Sequence, residues 1–374
     1  MQVLKTPVRI GILGGGQLAR MLALRAHSMG LCPYVISPRP DDPAAQVTQW
    51  WHRGDPNNRD DLTRFLRQVE VATFESEFLS ASLLHEISGV VKTPIYPRPQ
   101  LMEQIQDRSP QKRILLAHNI PTADFMDVHN PEELCAAALK FNHFFVLKKR
   151  RFGYDGYGTY VIKSKAQMRW ARELIREVPE GLIAEELVPF RRELAVVMAR
   201  SRDGSVSAFP LVESLQRDSR CLWVKGPTRH SKWPSLRKKL LNLLQMLDYV
   251  GVMGIEIFDL GNRLLVNELA PRVHNSGHYS MDALSEDQFT QHLKGILGQR
   301  LLSPTPLRAG FAMFNLLGEG HRRFRWPLVP GVHLHWYGKH ESRAGRKMGH
   351  LNATANHPTK ALKKLIEARS QFKV

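Results

Sequence analysis

The apolar run from Val8 to Leu13 ends in Gly14-Gly15-Gly16, and beyond it Leu18, Met21, Leu22 and Leu24 recur at the spacing of one helix face. A strand, a glycine turn and a helix are predicted. Two further apolar runs, Cys32 to Ile36 and Val69 to Phe74, flank a helical stretch around Asp61 to Arg67, the alternation a parallel sheet produces. The pattern predicts a small α/β domain over residues 1–96, closed by Pro97 and Pro99, with a helix from Met102 to Leu116 leading out of it. The periodicity then changes to α+β. Strands are expected at Phe144 to Lys148, Thr159 to Ile162, Leu182 to Glu186, Glu193 to Met198 and Ser207 to Val212, with a helix near Gln167 to Val178. A helix from Leu236 to Leu247 precedes two paired strands, Val250 to Leu260 and Arg263 to Leu269. After Pro304 the pattern gives a short strand cluster, Phe311 to Leu316 and Val332 to Tyr337, closed by an amphipathic helix near Lys360 to Ala368. The expected division is 1–96, 97–303 and 304–374.

Composition changes this picture little. Of 374 residues, 43% are hydrophobic and 24% charged, which is ordinary globular usage and excludes a disordered chain. The apolar stretch near the N-terminus is too short to span a membrane, so neither export nor a membrane partner is expected. The three cysteines, Cys32, Cys135 and Cys221, form no CxxC pair, and a reducing cytoplasm is the expected location. Charge is the exceptional property. A formal net charge of +18 favours phosphate-bearing partners, yet the basic residues are scattered and no nucleic-acid-binding module accompanies them, so no specific nucleic acid is expected.

Candidate chemistry falls in four places. Gly14-x-Gly16-x-x-Ala19 fits a dinucleotide fingerprint, but the second strand runs into Ser37-Pro38-Arg39 without the acidic residue that holds a ribose. What remains is either a single-phosphate site at the Gly16 and Gln17 amides or a tight turn with no ligand. The string Lys148-Lys149-Arg150-Arg151-Phe152-Gly153-Tyr154-Asp155-Gly156-Tyr157-Gly158 joins two strands and suits a glycine lid over phosphates, although no Walker sequence occurs in the chain. Glu256 and Glu268 interrupt apolar strands that form a hairpin. A three-residue loop would set them opposite each other, and a two-residue loop would set Asn267 opposite Glu256 instead. An all-oxygen set of that kind suits magnesium held with phosphates, and salt bridges to arginines are the structural alternative. The loop Arg272-Val273-His274-Asn275 follows directly, and Arg343 to His350 is a basic loop fit to clamp a phosphate.

The strings GGGQLARML, GYDGYG, VNELAPRVHNSGH and HLHWYGKHESRAGRKMGHLN, in this order along nearly the whole chain, resemble the 5-(carboxyamino)imidazole ribonucleotide synthases of the ATP-grasp superfamily. The resemblance implies an ATP-grasp fold with an N-terminal Rossmann-like domain, a lid subdomain at about 112–187 and a small C-terminal subdomain. It also implies a homodimer that uses ATP, Mg2+ and bicarbonate to carboxylate 5-aminoimidazole ribonucleotide through carboxyphosphate. Carried over by position, Arg108, Lys148, Gly153, Tyr154, Asp155, Gly156 and Gly158 face ATP phosphates, while Glu185, Glu186, Leu187, Val188 and Glu193 face adenine and ribose. Glu256 and Glu268 are the implied magnesium ligands, with Asn267 beside them. Gln17, Leu18, Glu75, Asn275, Arg343 and Arg346 are implied for the ribonucleotide, and Arg272, His274, Lys347 and Tyr154 for the chemistry.

The chain departs from the family pattern at three places. Phe152 stands where a second glycine is usual, and Glu75-Ser76-Glu77 replaces Glu-Phe-Glu. Gln216 carries its implied nucleotide contact within an altered segment, Ser214 to Leu222. The alternatives to the implied function are an ATP-grasp ligase for another small phosphorylated amine or acid, and a degenerate member acting as a binding protein.

Overall fold

The computed structural model of the chain describes residues 7–153, 158–217, 220–320 and 327–374. Tyr154, Asp155 and Gly156 therefore lie outside the described residues. Among those described, no helix is long and apolar enough to cross a membrane.

Residues 9–96 carry a five-stranded parallel sheet ordered Trp51–Arg53, Cys32–Ser37, Arg9–Leu13, Val71–Phe74, Ile95–Tyr96. Alternation along the Arg9–Leu13 strand serves both faces. Ile10 and Ile12 pack with Leu18, Met21 and Leu22 of the helix Gln17–Ser28, while Leu13 joins Phe65, Phe74 and Leu84 on the other face. The two short outer strands were not legible as apolar runs because each is only two or three residues long.

The predicted helix from Met102 to Leu116 is two helices, Pro99–Gln106 and Arg108–Ala117. Asp107 has extended backbone and its side chain accepts the Ser109 amide, so it caps the second helix and breaks the first. Beyond it lies a four-stranded antiparallel sheet ordered Phe125–Val128, Leu182–Glu186, Phe145–Lys149, Thr159–Ile162. The helices Pro131–Lys140 and Lys165–Glu177 cover one face of it through Leu134, Ala137, Leu174 and Ile175.

The remaining strands build one long antiparallel sheet, ordered Leu264–Ala270, Gly251–Asp259, Arg192–Arg200, Val212–Arg217, Arg220–Gly226, Gly310–Leu317, Lys347–Ala355, His333–Trp336, with Val206–Ala208 paired beside Arg192–Arg200. The C-terminal strands thus continue the central sheet instead of forming a sheet of their own. The segment expected to be a basic loop from Arg343 to His350 becomes strand from Lys347 onward. Its inward polar side chains, His350 and Asn352, disguise it in sequence because they are buried and hydrogen-bonded within the sheet's surroundings. The N-terminal sheet is tied to the central one by His292, whose Nε2 meets the Thr73 hydroxyl at 2.7 Å while Nδ1 accepts the Val252 amide. Burial pushes this imidazole down to about 4, so it is neutral and can act as acceptor and donor at once.

Candidate active site

The hairpin Gly251–Asp259 and Leu264–Ala270 combines the two registers that the sequence left open. Near the turn, Asp259 pairs with Leu264 and Ile257 with Val266, the register of a two-residue loop. A β-bulge at Asn267 then shifts the pairing by one, so Glu256 faces Glu268 directly. Asn267 is the extra residue, and its side-chain oxygen accepts from Lys148 Nζ at 3.2 Å. Burial first, then the Glu268 and Glu193 carboxylates, push Glu256 up to about 7. Burial likewise raises Glu193, partly opposed by the Gln216 backbone amide. Two facing carboxylates with oxygen donors only suit a divalent cation held jointly with phosphates, although among the described residues no cluster of three or more His, Cys, Asp or Glu side chains is placed to hold a metal ion.

Cations line the opposite side. Lys148 Nζ lies 3.0 Å from Glu185 Oε2, and Lys112 Nζ, almost wholly buried, lies 3.2 Å from the same oxygen. Burial works to raise Glu185, but the two ammoniums outweigh it and hold the carboxylate below its usual range. Alternation along Phe145–Lys149 explains the placement: Leu147 enters the lid core and Lys148 the cleft. Arg108 Nη2 donates to Glu268 Oε2 at 2.8 Å. Asp107 anchors the basic run by accepting from Arg150 at 2.8 and 3.0 Å and from Arg151 at 3.2 Å. Gly153 lines the cleft beside Phe152, and Gly158 has a φ of +83°, which suits glycine. Glu186 and Leu187 line a surface cleft of about 500 Å³ with Asp124, Phe141 and Phe144. Val188 packs against Ala123 and Leu265.

Arg272 forks onto Glu77, with Nη2 to Oε1 at 2.9 Å and Nε to Oε2. Gly254 permits the next contact, because a Cβ there would fall 2.4 Å from the His274 Cβ. His274 Nε2 stands 3.8 Å from Glu256 Oε1, and its Nδ1 faces the Ser276 hydroxyl at 2.8 Å. Burial, Arg272 and Lys347 push this imidazole down to about 3. Asn275 exchanges two hydrogen bonds with Asn315, which fixes its orientation.

The glycine turn departs from expectation. The anion at the N-terminus of Gln17–Ser28 is the protein's own Glu75, which accepts from the Gly16 and Ala19 amides. Residues with a side chain at Gly14 or Gly16 would collide with that carboxylate at 2.6 to 2.8 Å. A single-phosphate site at the Gly16 and Gln17 amides is therefore corrected to an internal carboxylate cap. Gln17 begins the helix, and Leu18 packs in the core, leaving only its backbone toward the cleft. Arg343 and Arg346 are held by Glu341, through its carboxylate at 2.6 Å and its carbonyl at 3.1 Å respectively. Burial first and then Arg343 lower Arg346, which also feels Arg39 and Asp42, so the C-terminal basic turn faces the N-terminal domain. This concentration of guanidinium groups suits a phosphate.

Lys112, Gln111, Asp107 and Gln106 were not singled out from the sequence. Lys112, Gln111 and Gln106 sit on helices whose polar positions look like a solvated face, with Asp107 between them, and only the string Gln106-Asp107-Arg108 offers a signal.

The lid sheet, the paired carboxylates and the strand lysine together define an ATP-grasp enzyme, and the ATP-grasp domain model matches residues 113–289. The ribonucleotide synthetase preATP-grasp domain matches 8–106, and the phosphoribosylaminoimidazole carboxylase C-terminal domain matches 312–364. The chain belongs to the N5-carboxyaminoimidazole ribonucleotide synthase family. It is 37% identical over 361 residues to that synthase from Synechococcus elongatus, across 92% of this chain and 89% of the relative. It is similar to the crystal structure of N5-carboxyaminoimidazole synthetase from Staphylococcus aureus complexed with ADP, with a TM-score of 0.90 and 29% identity over 99% of each chain. It is also similar to the Aspergillus clavatus synthase in complex with ADP and 5-aminoimidazole ribonucleotide, with a TM-score of 0.85 and 27% identity over 98% of this chain and 100% of that one.

Proposed function

We propose that the chain uses ATP to carboxylate 5-aminoimidazole ribonucleotide with bicarbonate, as a ligase of purine biosynthesis. The observation that carries this is the bulged hairpin, which sets Glu256 against Glu268 between Lys148 and Arg108 on one side and His274 on the other. Magnesium bound by Glu256 and Glu268 would neutralise the nucleotide phosphates during phosphoryl transfer.

Lys148 and Arg108 hold the phosphates, and the backbone of Glu185 to Val188, with Glu193 and Gln216, faces the adenosine. A bicarbonate oxygen attacks the γ-phosphorus, the bond to ADP breaks, and carboxyphosphate forms. Its breakdown gives carbon dioxide and phosphate in a site closed to water. The ribonucleotide amine then attacks the carbon, and the released phosphate takes the amine proton. Arg272 stabilises the anionic carboxyl as it forms. His274, beside Glu256, supplies a hydrogen bond to the forming carboxyl group. Arg343, Arg346 and Lys347 hold the ribonucleotide phosphate, with Gln17, Glu75 and Asn275 placing the sugar and base. The domain division at about residues 96 and 303, a homodimeric assembly and a cytoplasmic location belong to the same proposal.

Phosphate release from ATP and magnesium, measured with and without aminoimidazole ribonucleotide and bicarbonate, tests it. Stimulation by both is expected. Turnover that ignores them in folded protein would overturn it.

A further inference from the structure

Gln288 opens the helix Gln288–Ile296 and is fully buried, and its side chain reaches out of the helix to the loop that carries His274. His274 has extended backbone, with φ −126° and ψ 147°, which turns its N–H and C=O to one side. The Gln288 amide pairs with both, as a neighbouring strand would. Oε1 accepts the His274 N–H at 2.8 Å, and Nε2 donates to the His274 carbonyl at 2.8 Å. A peptide N–H only donates and a carbonyl only accepts, so these two bonds fix which end of the amide is which. The second Nε2 hydrogen goes to His278 Nδ1, also at 2.8 Å. His278 accepts there and carries its proton on Nε2, and burial holds that imidazole well below its usual value.

The fit is close. A Cβ at Gly277 would fall 2.7 Å from Gln288 Oε1, and the Ser280 hydroxyl accepts the Gln288 backbone amide while donating to the Gly277 carbonyl. One turn further along the same helix face, His292 accepts the Val252 amide. Val252 stands one helix-turn's count of residues before Glu256, on the same strand. A single helix therefore grips both members of the His274–Glu256 pair, the loop through Gln288 and the hairpin strand through His292. The nucleotide side is held separately, Lys148 by Glu185 and Arg108 by Glu268.

We propose that Gln288 is a positioning residue for the carboxylation step, holding His274 in place beside Glu256 through an amide that supplies one acceptor and two donors at once. The inference rests on the carboxylating function proposed above, in which His274 meets the forming carboxyl group. The three partners explain the choice of side chain. A carboxylate of the same length offers no donor, and a protonated carboxyl offers one. A planar amide serves the N–H, the carbonyl and the imidazole together without bringing a charge into a buried site.

Steady-state kinetics of Gln288→Glu provide the test, because the change keeps the shape of the amide and alters its hydrogens. At about pH 8.5 the introduced carboxylate still accepts from the His274 N–H and has lost both donors. The kcat for carboxylated product should fall on the order of 100-fold, the cost of a roughly 1 Å misplacement, with the KM for ATP within about twofold of the parent. Burial raises the introduced carboxyl, so lowering the pH to about 6 returns one donor. The ratio of variant to parent kcat should then recover about tenfold, the worth of one hydrogen bond. A kcat within about twofold of the parent at the higher pH would overturn the inference. So would a deficit that does not change with pH, or a KM for ATP that rises in step with the loss, the marks of a general loosening. Should Gln288→Glu fail to fold, Gln288→Met, uncharged and of similar length, should show the same split between kcat and KM without the recovery. Failure of both to fold would make Gln288 a residue of folding alone and overturn the inference too. Parent turnover indifferent to the ribonucleotide and bicarbonate would overturn the proposed function itself, and the parent control reveals that separately.

Discussion

Replacing Glu256 by glutamine should stabilise the metal-free protein while removing its activity. Glu256 meets Glu268 across the bulge, and burial together with Glu268 and Glu193 raises it from the ordinary 4.5 to about 7. For an acid whose folded-state value is raised, the folded state binds the proton more tightly. Stability is then fully present below the unfolded value of 4.5 and is lost as pH climbs through 7. The difference corresponds to about 3 kcal/mol as a ceiling. The side chain retains 29% exposure, so solvent screening brings the expected loss to about 1–2 kcal/mol. Glutamine mimics the protonated carboxyl, so Glu256→Gln should match the parent near pH 5 and exceed it by a few degrees in Tm near pH 8.5. Thermal unfolding across that range, in buffer with a chelator, measures this directly. Added magnesium and ATP should stabilise the parent and leave the variant nearly unmoved, because the proposed cation site would lose one of its two carboxylates. A parent–variant difference that does not change with pH would refute the reasoning, since the repulsion would then be absent from the folded protein.

Two further substitutions probe other parts of the cleft. Lys112→Met leaves Glu185 with Lys148 as its near ammonium, and should cost about 3 kcal/mol in denaturant unfolding, the low end for breaking a buried pair. It should also raise the KM for ATP, because Lys148 is drawn more firmly onto Glu185. Phe152 has a φ of +59°, and its ring centroid lies 6.3 Å from that of Phe78 at the cavity mouth. Phe152→Gly relieves about 1 kcal/mol of backbone strain and adds a similar entropy to the unfolded chain, so Tm should hardly change. Phosphate release should nevertheless outrun carboxylated product as water reaches the reactive intermediate, and a stoichiometry that stays at one to one would show that the aromatic pair seals nothing.

Strands with clean apolar runs were legible from the sequence, as were the carboxylates that break them: Arg9–Leu13, Phe145–Lys149 and the hairpin of Glu256 and Glu268 all follow from periodicity. Other features were settled by partners distant in the chain. Asn267 takes its place from a bulge, a choice between two nearly equal registers that local sequence does not decide. The glycine turn has the residues of a phosphate site, yet Glu75, 59 positions beyond Gly16, fills it. Lys112 looks like one more surface lysine of a basic helix until Glu185 and Thr122 are brought against it. Lys347–Ala355 shows no clean apolar run because two of its buried positions hold His350 and Asn352, whose partners lie on other elements.

The central sheet has one more consequence. Five inter-strand steps separate the strand of Glu256 from that of Lys347, about 24 Å if the sheet were flat. The charge of Lys347 nevertheless bears on both Glu256 and His274, so these groups lie nearer to one another than a flat sheet would place them. Register shifts at Leu215/Gln216 and Leu316/Leu317 lie along the span between them, and such shifts bend and twist a strand. Both shifts adjoin residues proposed to face substrate, Gln216 and Lys347, so a single-residue deletion at either should disturb the course of the sheet and a substrate contact together.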